Sequence, residues 1–395
     1  MSHLLISFLG RASREVGSGY HRATYRFADG QEVITPFFGL ALANQLQPKR
    51  LVLLGTASSM WDVLFDELDP DNAHETIRLE LLEAIDAQRV EQPLLDRLSE
   101  VMRLQTSRDC TLLLIPFGRD SQEQTAILRT LAEQVQQGDQ VDMDLTHGFR
   151  HLPMLGLLSA LYLRTVRQAV VRGLFYGALQ MAEAGATPVL RLDGLLEIAD
   201  WISAVDRYDQ CGDYGVFAPL LQRLEQASEP VADLQEAAFH ERINDVSQAR
   251  NKLLNFYRWL KDTPLSVTAE LFRATLQERI HWCRALDRAT REAHLARQYF
   301  RQRDYLRSTI FAFESQVTRE MSNKRLGDPG NFSEREKVAK EMREKNSAFQ
   351  FLNHLRNTLA HGLKEASEQV KKAMASEQVL RQSLDQLLKG PDGRG

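Results

Sequence analysis

The sequence predicts an α/β domain followed by an all-α domain, and two observations carry that expectation. Before about Asp193, short β-rich apolar runs alternate with segments of helical periodicity, the rhythm of a mostly parallel sheet covered by helices on both faces. After Asp193 the β signal stops and helical periodicity alone continues.

In order, residues 4–9, 51–55, 112–116 and 141–144 read as buried strands, each leading into a loop, and 169–176 reads as a further strand. Helices are expected over 37–46, about 74–104, about 122–137 and 152–163. Residues 20–27 and 31–34, around Asp29-Gly30, suggest a small hairpin inserted after the first strand. In the second half helices are expected over 194–208, 220–229, 234–260, 269–300, 305–321 and 333–363, with a last one running to about Leu388. Gly212, Pro230, Pro264 and residues 326–330 supply breaks, and 389–395 should be a frayed tail. The expected domains are 1–193 and 194–395, the latter divided into linker helices over 194–265 and a compact helical domain over about 266–388.

At 395 residues the chain can build two or three cores, and 43% hydrophobic with 26% charged residues is ordinary for a globular protein. The net charge of −4 excludes a surface coated in basic residues for indiscriminate nucleic-acid binding, but not a local patch. One run qualifies: Arg284, Arg288, Arg291, Arg297, Arg301, Arg303 and Arg307, with only Asp287, Glu292 and Asp304 against them. Taken alone it reads as a solvated helix face. No apolar run is long enough to span a bilayer, and the apolar start lacks the basic segment of a signal peptide. Cys110, Cys211 and Cys283 are odd in number and far apart, which suits neither a disulfide framework nor a zinc site. A cytoplasmic protein without a resident metal is expected.

In open parallel sheets, ligands bind beyond the C-terminal ends of the strands at the topological switch point. The loops there begin Gly10-Arg11-Ala12-Ser13-Arg14, Gly55-Thr56-Ala57-Ser58-Ser59, Phe117-Gly118-Arg119 and Asp144-Leu145-Thr146-His147-Gly148. Glycines admit a close ligand, hydroxyls and free N–H groups bind phosphate, and arginines add charge, which together suit an anionic nucleotide. Neither a Walker lysine motif nor a Gly-x-Gly-x-x-Gly fingerprint is present, so ATP hydrolysis and dinucleotide redox chemistry find no support. Asp144 with His147 reads as a ligand-shaping loop, because no third metal ligand accompanies them.

Near the C-terminus Arg356 and His361 are separated by four residues on a helical segment. Histidine moves protons near neutral pH and arginine holds a phosphate whose charge is building, the two needs of metal-free RNA cleavage. Five residues advance about 140° around a helix and about 7.5 Å along it, so one chain cannot readily bring both groups to one phosphate. Two copies across a two-fold axis can.

Asp144-Leu145-Thr146-His147-Gly148 matches the Asp-x-Thr-His-Gly signature of a group of CRISPR-associated proteins, and the Gly55–Trp61 loop and Tyr176-Gly177-Ala178 are similar to that group. With Arg356-x4-His361, the chain resembles the CARF–HEPN ancillary ribonucleases of type III CRISPR systems. The resemblance implies a Rossmann-like CARF domain that senses cyclic oligoadenylate, with cyclic tetra-adenylate ahead of cyclic hexa-adenylate, as allosteric activator. It implies that Gly10, Arg11, Gly55, Thr56, Ser58, Ser59, Gly118, Thr146, His147 and Gly148 face this ligand. It also implies a HEPN domain that pairs in a homodimer, or a higher assembly, and cleaves single-stranded RNA through Arg356, Asn357 and His361. A 2′-OH attack would leave 2′,3′-cyclic phosphate ends, with His361 as acid or base and Arg356 as charge stabiliser. On this reading the arginine run guides RNA, and Tyr299, Phe300 or Tyr305 is available to stack bases, with a core place preferred for Phe300. Glu314 either orients Arg356 or forms a surface salt bridge, and the helices between Gly194 and Leu260 couple the two sites. Three alternatives stay open: degradation of the cyclic activator, a non-catalytic regulator in which the Arg–His pair only packs, and a linear dinucleotide as ligand.

Overall fold

The computed structural model describes residues 2–11, 14–15, 19–68, 73–225, 228–328, 330–362 and 366–389. Ala12 and Ser13 of the basic loop, Pro329, the Leu363 end expected for the helix over 333–363, and the tail beyond Lys389 lie outside them. The chain forms two compact units, 1–196 and 197–395.

The first unit contains β1 (His3–Leu9), β2 (Arg14–Glu15), β3 (Gly19–Tyr20), β4 (Ala23–Arg26), β5 (Glu32–Thr35), α1 (Phe38–Leu46), β6 (Arg50–Gly55), α2 (Val63–Leu68), α3 (Glu75–Asp86) and α4 (Gln92–Thr106). It continues through β7 (Asp109–Leu114), α5 (Ser121–Glu133), β8 (Gln140–Asp144), α6 (His151–Thr165), β9 (Val170–Gly177) and β10 (Ala186–Arg191). An eight-stranded mixed sheet has the order β5-β4-β10-β9-β8-β1-β6-β7, with β9-β8-β1-β6-β7 all parallel. From β1 the chain steps outward through β6 and β7, then returns to β8 and β9 on the other side. That reversal makes a Rossmann-like switch point between β1 and β8.

Side chains alternate across the sheet as a period of two requires. On β1 and β6, Leu5, Leu9, Leu51 and Leu53 face one core with α1 and α4, while Leu4, Ile6, Phe8, Val52 and Leu54 face a second with α5 and α6. Burial on both faces explains why these strands read as continuous apolar runs.

Several expectations need correction. The strand expected at 112–116 is β7, which starts at the polar Asp109 and ends at Leu114; as the edge strand it tolerates the polar start. The helix expected over 74–104 is two, broken where Gln88 takes φ 52°, with Pro93 in the first turn of α4. The hairpin exists as β4–β5, but it joins the main sheet through β10, which periodicity missed. Pro188 hides β10 from a sequence reading. It sits where the ladder to β4 ends and the ladder to β9 begins, so its missing N–H costs the sheet little.

The second unit is helical: α7 (Asp193–Cys211, beginning in the first unit), α8 (Ala218–Glu225), α9 (Ser228–Arg242), α10 (Val246–Asp262), α11 (Val267–Arg279), α12 (Arg288–Arg301), α13 (Tyr305–Asn323), α14 (Phe332–Lys345), α15 (Ser347–His361), α16 (Glu368–Ala373) and α17 (Glu377–Lys389). Its core gathers Phe311, Phe313, Val317 and Met321 of α13 with Phe349 and Leu352 of α15, among others. The spans 234–260, 269–300 and 333–363 each hold two helices, because Asp245, Asp287 and Asn346 cap new N-termini inside them. Pro230 does not break a helix; it lies in the first turn of α9, where no N–H partner is needed. Among the described residues no helix is long and apolar enough to cross a membrane.

Candidate functional site

At the switch point the loops after β1, β6 and β8 close on one another. A Cβ on Gly10 would lie 2.5 Å from the Gly148 backbone nitrogen, so glycine here permits two main chains to touch. Gly10 also accepts at its carbonyl from the Met60 N–H at 2.8 Å, which joins the third loop. Between them is a small cavity of about 60 Å³ lined by Leu9, Gly10, Arg11, Thr56, Ser59, Gly148, Phe149 and Leu152. Of the ten residues expected to face a ligand, the structure therefore gathers Gly10, Arg11, Thr56, Ser59 and Gly148 on one wall. Arg11 is exposed at its rim, whereas Thr56 and Ser59 are buried.

The other five are placed behind or beside this wall. Gly55 lies under Trp61, with room for no Cβ, and Ser58 is buried with its hydroxyl 3.3 Å from that of Thr56. Thr146 accepts at its hydroxyl from the Gly177 N–H at 2.8 Å, tying the loop after β8 to the end of β9. His147 accepts at Nε2 from the Phe38 N–H at 3.2 Å and so caps the start of α1. Burial pushes the His147 pKa down to about 4, consistent with a neutral ring that accepts at Nε2. Gly118, at φ 76°, belongs to a neighbouring cluster in which His151 Nε2 lies 2.8 Å from the Phe117 carbonyl and Phe149 stacks on His151.

Asp144 is the buried anchor of its loop. One carboxylate oxygen accepts from the Ser7 hydroxyl at 2.6 Å and the other from the Thr146 N–H at 2.8 Å. Burial outweighs these bonds and raises its pKa to about 6. Ser59 likewise serves its own loop: it accepts from the Thr56 N–H at 2.9 Å and donates to the Leu9 carbonyl at 2.7 Å. The spacing that suggested a ligand contact thus first builds the loop that presents Thr56. Sequence reasoning held Phe149 within the candidate loop without singling it out and missed Leu152 as a lining residue; the signal for both was nearness to Gly148, at the entry to α6. Two glycine backbones, a hydroxyl and an exposed guanidinium around a cavity this small suit one phosphate-sized anionic group.

In the second unit α15 places the Arg–His pair. Asn346 caps its start by accepting from the Phe349 N–H at 3.0 Å, and the helix stays regular to His361, where Gly362 at φ 87° ends it. His361 is exposed. Arg356 is half-buried, and Asn357 Oδ1 accepts from its Nε at 3.3 Å and its Nη2 at 3.0 Å. Glu314 does not bond Arg356; its carboxylate pairs with Arg335, so of the two roles held open for it the salt bridge is the one found.

The arginine run is largely consumed by the fold, against the expectation that it guides RNA. Arg284 donates to the Tyr257 hydroxyl, Arg288 to the buried Glu292, Arg291 to the Ala285 and Leu286 carbonyls, and Arg297 to the Leu388 carbonyl. Arg303 pairs with Glu377 and Arg307 with Asp304. The aromatics expected to stack bases are occupied too. Tyr299 is buried and donates to Glu241 at 2.6 Å, Phe300 is covered by Arg381, and Tyr305 bonds Glu377.

Residues 4–179 match the family described as the CARF domain of the CRISPR system endoribonuclease Csx1. The CRISPR-associated protein MJ1674 of Methanocaldococcus jannaschii is 24% identical over 222 residues, which are 51% of this chain and 35% of that protein. The chain thus spans about a third of that relative's length. Every strand-end loop around the cavity lies inside the matched segment, and α15 lies outside it. Residues 4–179 are thus similar to a CARF domain, in a chain that is similar in part to a CRISPR-associated protein.

Proposed function

We propose that the protein is a cyclic-oligoadenylate-activated, metal-independent endoribonuclease that cleaves single-stranded RNA as an ancillary effector of type III CRISPR defence. The observation that carries the reading is the closure of the Gly10, Thr56 and Gly148 loops on one small anion-sized cavity at the switch point of a CARF-matched sheet. That cavity holds about one phosphate, far less than the several hundred Å³ of an ordinary ligand site. A cyclic oligonucleotide would therefore lie across the mouths of two such cavities, one from each copy of a homodimer. The exposed apolar side chains Met154 and Leu158 of α6, the helix whose Leu152 lines the cavity, are a fitting surface for that pairing.

In the second unit we assign a HEPN-type nuclease centre to Arg356 and His361, with two copies of α15 facing one another. The substrate 2′-OH attacks the adjacent phosphorus, and the P–O5′ bond breaks. His361 moves the proton, Arg356 stabilises the phosphorane charge, and the product ends in a 2′,3′-cyclic phosphate. Asn357 acts through Arg356, because its side-chain oxygen is spent on the guanidinium.

The test incubates labelled single-stranded RNA and EDTA with cyclic tetra-adenylate or hexa-adenylate, comparing wild type with His361→Ala. Wild type should cleave only with activator, and the variant should lose about 10²–10⁴-fold in rate. If activator binds while RNA stays intact, the protein is a ligand-dependent regulator and the nuclease reading fails.

A further inference from the structure

Arg356 is held in an unusual way for a half-buried cation. Its guanidinium carbon lies 4.0 Å from the ring centroid of Phe313 on α13. That ring is 7% exposed and stacks on Phe349 with centroids 4.9 Å apart and planes at 24°, so the core of the unit fixes its position. Two amide oxygens complete the seat: Asn353 Oδ1 accepts from Nη2 at 3.3 Å, and Asn357 Oδ1 accepts from Nε and Nη2. Asn353 is itself buried, which fixes that acceptor. Nη1 makes no hydrogen bond among the described residues, and no ion pair among them includes Arg356. Burial pulls the Arg356 pKa down and the field of Glu314 pulls it up, yet the Glu314 carboxylate is bonded to Arg335.

A carboxylate against Arg356 would neutralise it and compete with an incoming phosphate. An aromatic face attracts the cation without occupying an N–H donor. Neutral amide oxygens fix the plane and leave the charge uncancelled.

We propose that Phe313 is a positioning residue for RNA cleavage: its ring holds the Arg356 guanidinium in place and unpaired with any carboxylate, with Nη1 free to meet the phosphate. This rests on the nuclease reading above. The oriented guanidinium matters most when charge develops on the phosphorane, so the loss of the ring should fall on kcat and not on KM.

The test uses the full chain with Phe313→Leu, Phe313→Met and Phe313→Tyr. The first two fill the space without a ring, and the third keeps the ring face. Activator-dependent cleavage is measured at saturating cyclic oligoadenylate, and the Arg356 side-chain proton resonances are followed by NMR, since a ring 4.0 Å away shifts them upfield. We expect kcat to fall about tenfold in the Leu and Met variants with KM within about twofold, and to be retained in the Tyr variant. The upfield shift should vanish and persist in the same pattern. If the shift vanishes in a folded Leu or Met variant while kcat holds, or if the Tyr variant loses as much as Leu, the positioning role is overturned. If wild type shows the shift but never cleaves RNA, the nuclease reading is what fails, and the role in cleavage falls with it.

Discussion

Asp144 sits fully buried between Ser7 and Thr146, and its raised pKa of about 6 makes it a source of pH-dependent stability. The sign follows from linkage. A carboxyl whose folded pKa lies above its unfolded value near 3.8 favours the folded state while it is protonated. That contribution is complete below about pH 4 and is lost as pH rises through about 6. The shift corresponds to about 3 kcal/mol at most. His147 runs oppositely: with a folded pKa of about 4 it supports the fold above pH 6.5 and withdraws support as pH falls toward 4. Wild-type melting curves alone therefore mix two opposed slopes, and Asp144→Asn separates them. Its advantage in melting temperature over wild type should grow from pH 4 to pH 7 and then level off; a difference that stays constant would show that Asp144 ionises normally. The residue types at this site were legible in the sequence, since glycines, small hydroxyls and an Asp-x-Thr-His run announce a strand-end loop. Their partners were not. Nothing in the spacing says that Ser59 spends its hydroxyl on the Leu9 carbonyl or that His147 caps α1, because both bonds join segments distant in the chain.

The element that carries Arg356 and His361, α15, depends on one residue at its start. Asn346 ends α14 through its N–H to the Met342 carbonyl at 2.8 Å and begins α15 by accepting from the Phe349 N–H. Replacing it with alanine should cost about 1 kcal/mol and speed amide exchange in the first turn of α15, while Asn346→Asp should retain most of the cap. Equal exchange in the Ala and Asp variants would show that the cap contributes nothing. The same residue shows why helix existence was easier to read than helix ends. Apolar periodicity runs through Asn346 almost undisturbed, so 333–363 looked like one helix. The turn is set by the side chain of Asn346 and by two helices packing on α13, and only the first of these is written locally. Asp245 and Asp287 hid two further breaks in the same way. Pro188 did the reverse, making a genuine sheet strand look like a loop.

At the scale of the whole molecule, on the reading proposed above, the strand order gives the first unit half of a ligand site. The doubly wound parallel core was foreshadowed by strand–helix alternation, but the extension through β10 and β4 joins segments more than 160 residues apart, which no local pattern encodes. What the order creates is a crevice between β1 and β8 with α6 rising from its mouth. On α6, Leu152, Ala160 and Leu163 turn inward to the core, while Met154 and Leu158, one turn apart, are 70% and 60% exposed beside a 43% exposed Phe149. Exposed apolar side chains one turn apart on a helix are a candidate for an isologous interface, in which each copy offers the same patch. If the homodimer proposed above forms through α6, Met154→Glu combined with Leu158→Glu places four like charges across the axis. Both side chains already face solvent, so the monomer fold should keep its melting temperature within a few degrees. Light scattering should then report a monomer, and affinity for cyclic oligoadenylate should drop at least tenfold, because each remaining cavity grips about one phosphate. RNA cleavage at moderate activator concentration should disappear with it. A double variant that remained dimeric and bound activator normally would place the interface elsewhere, and the cavity at β1 and β8 would have to serve a ligand held by one chain.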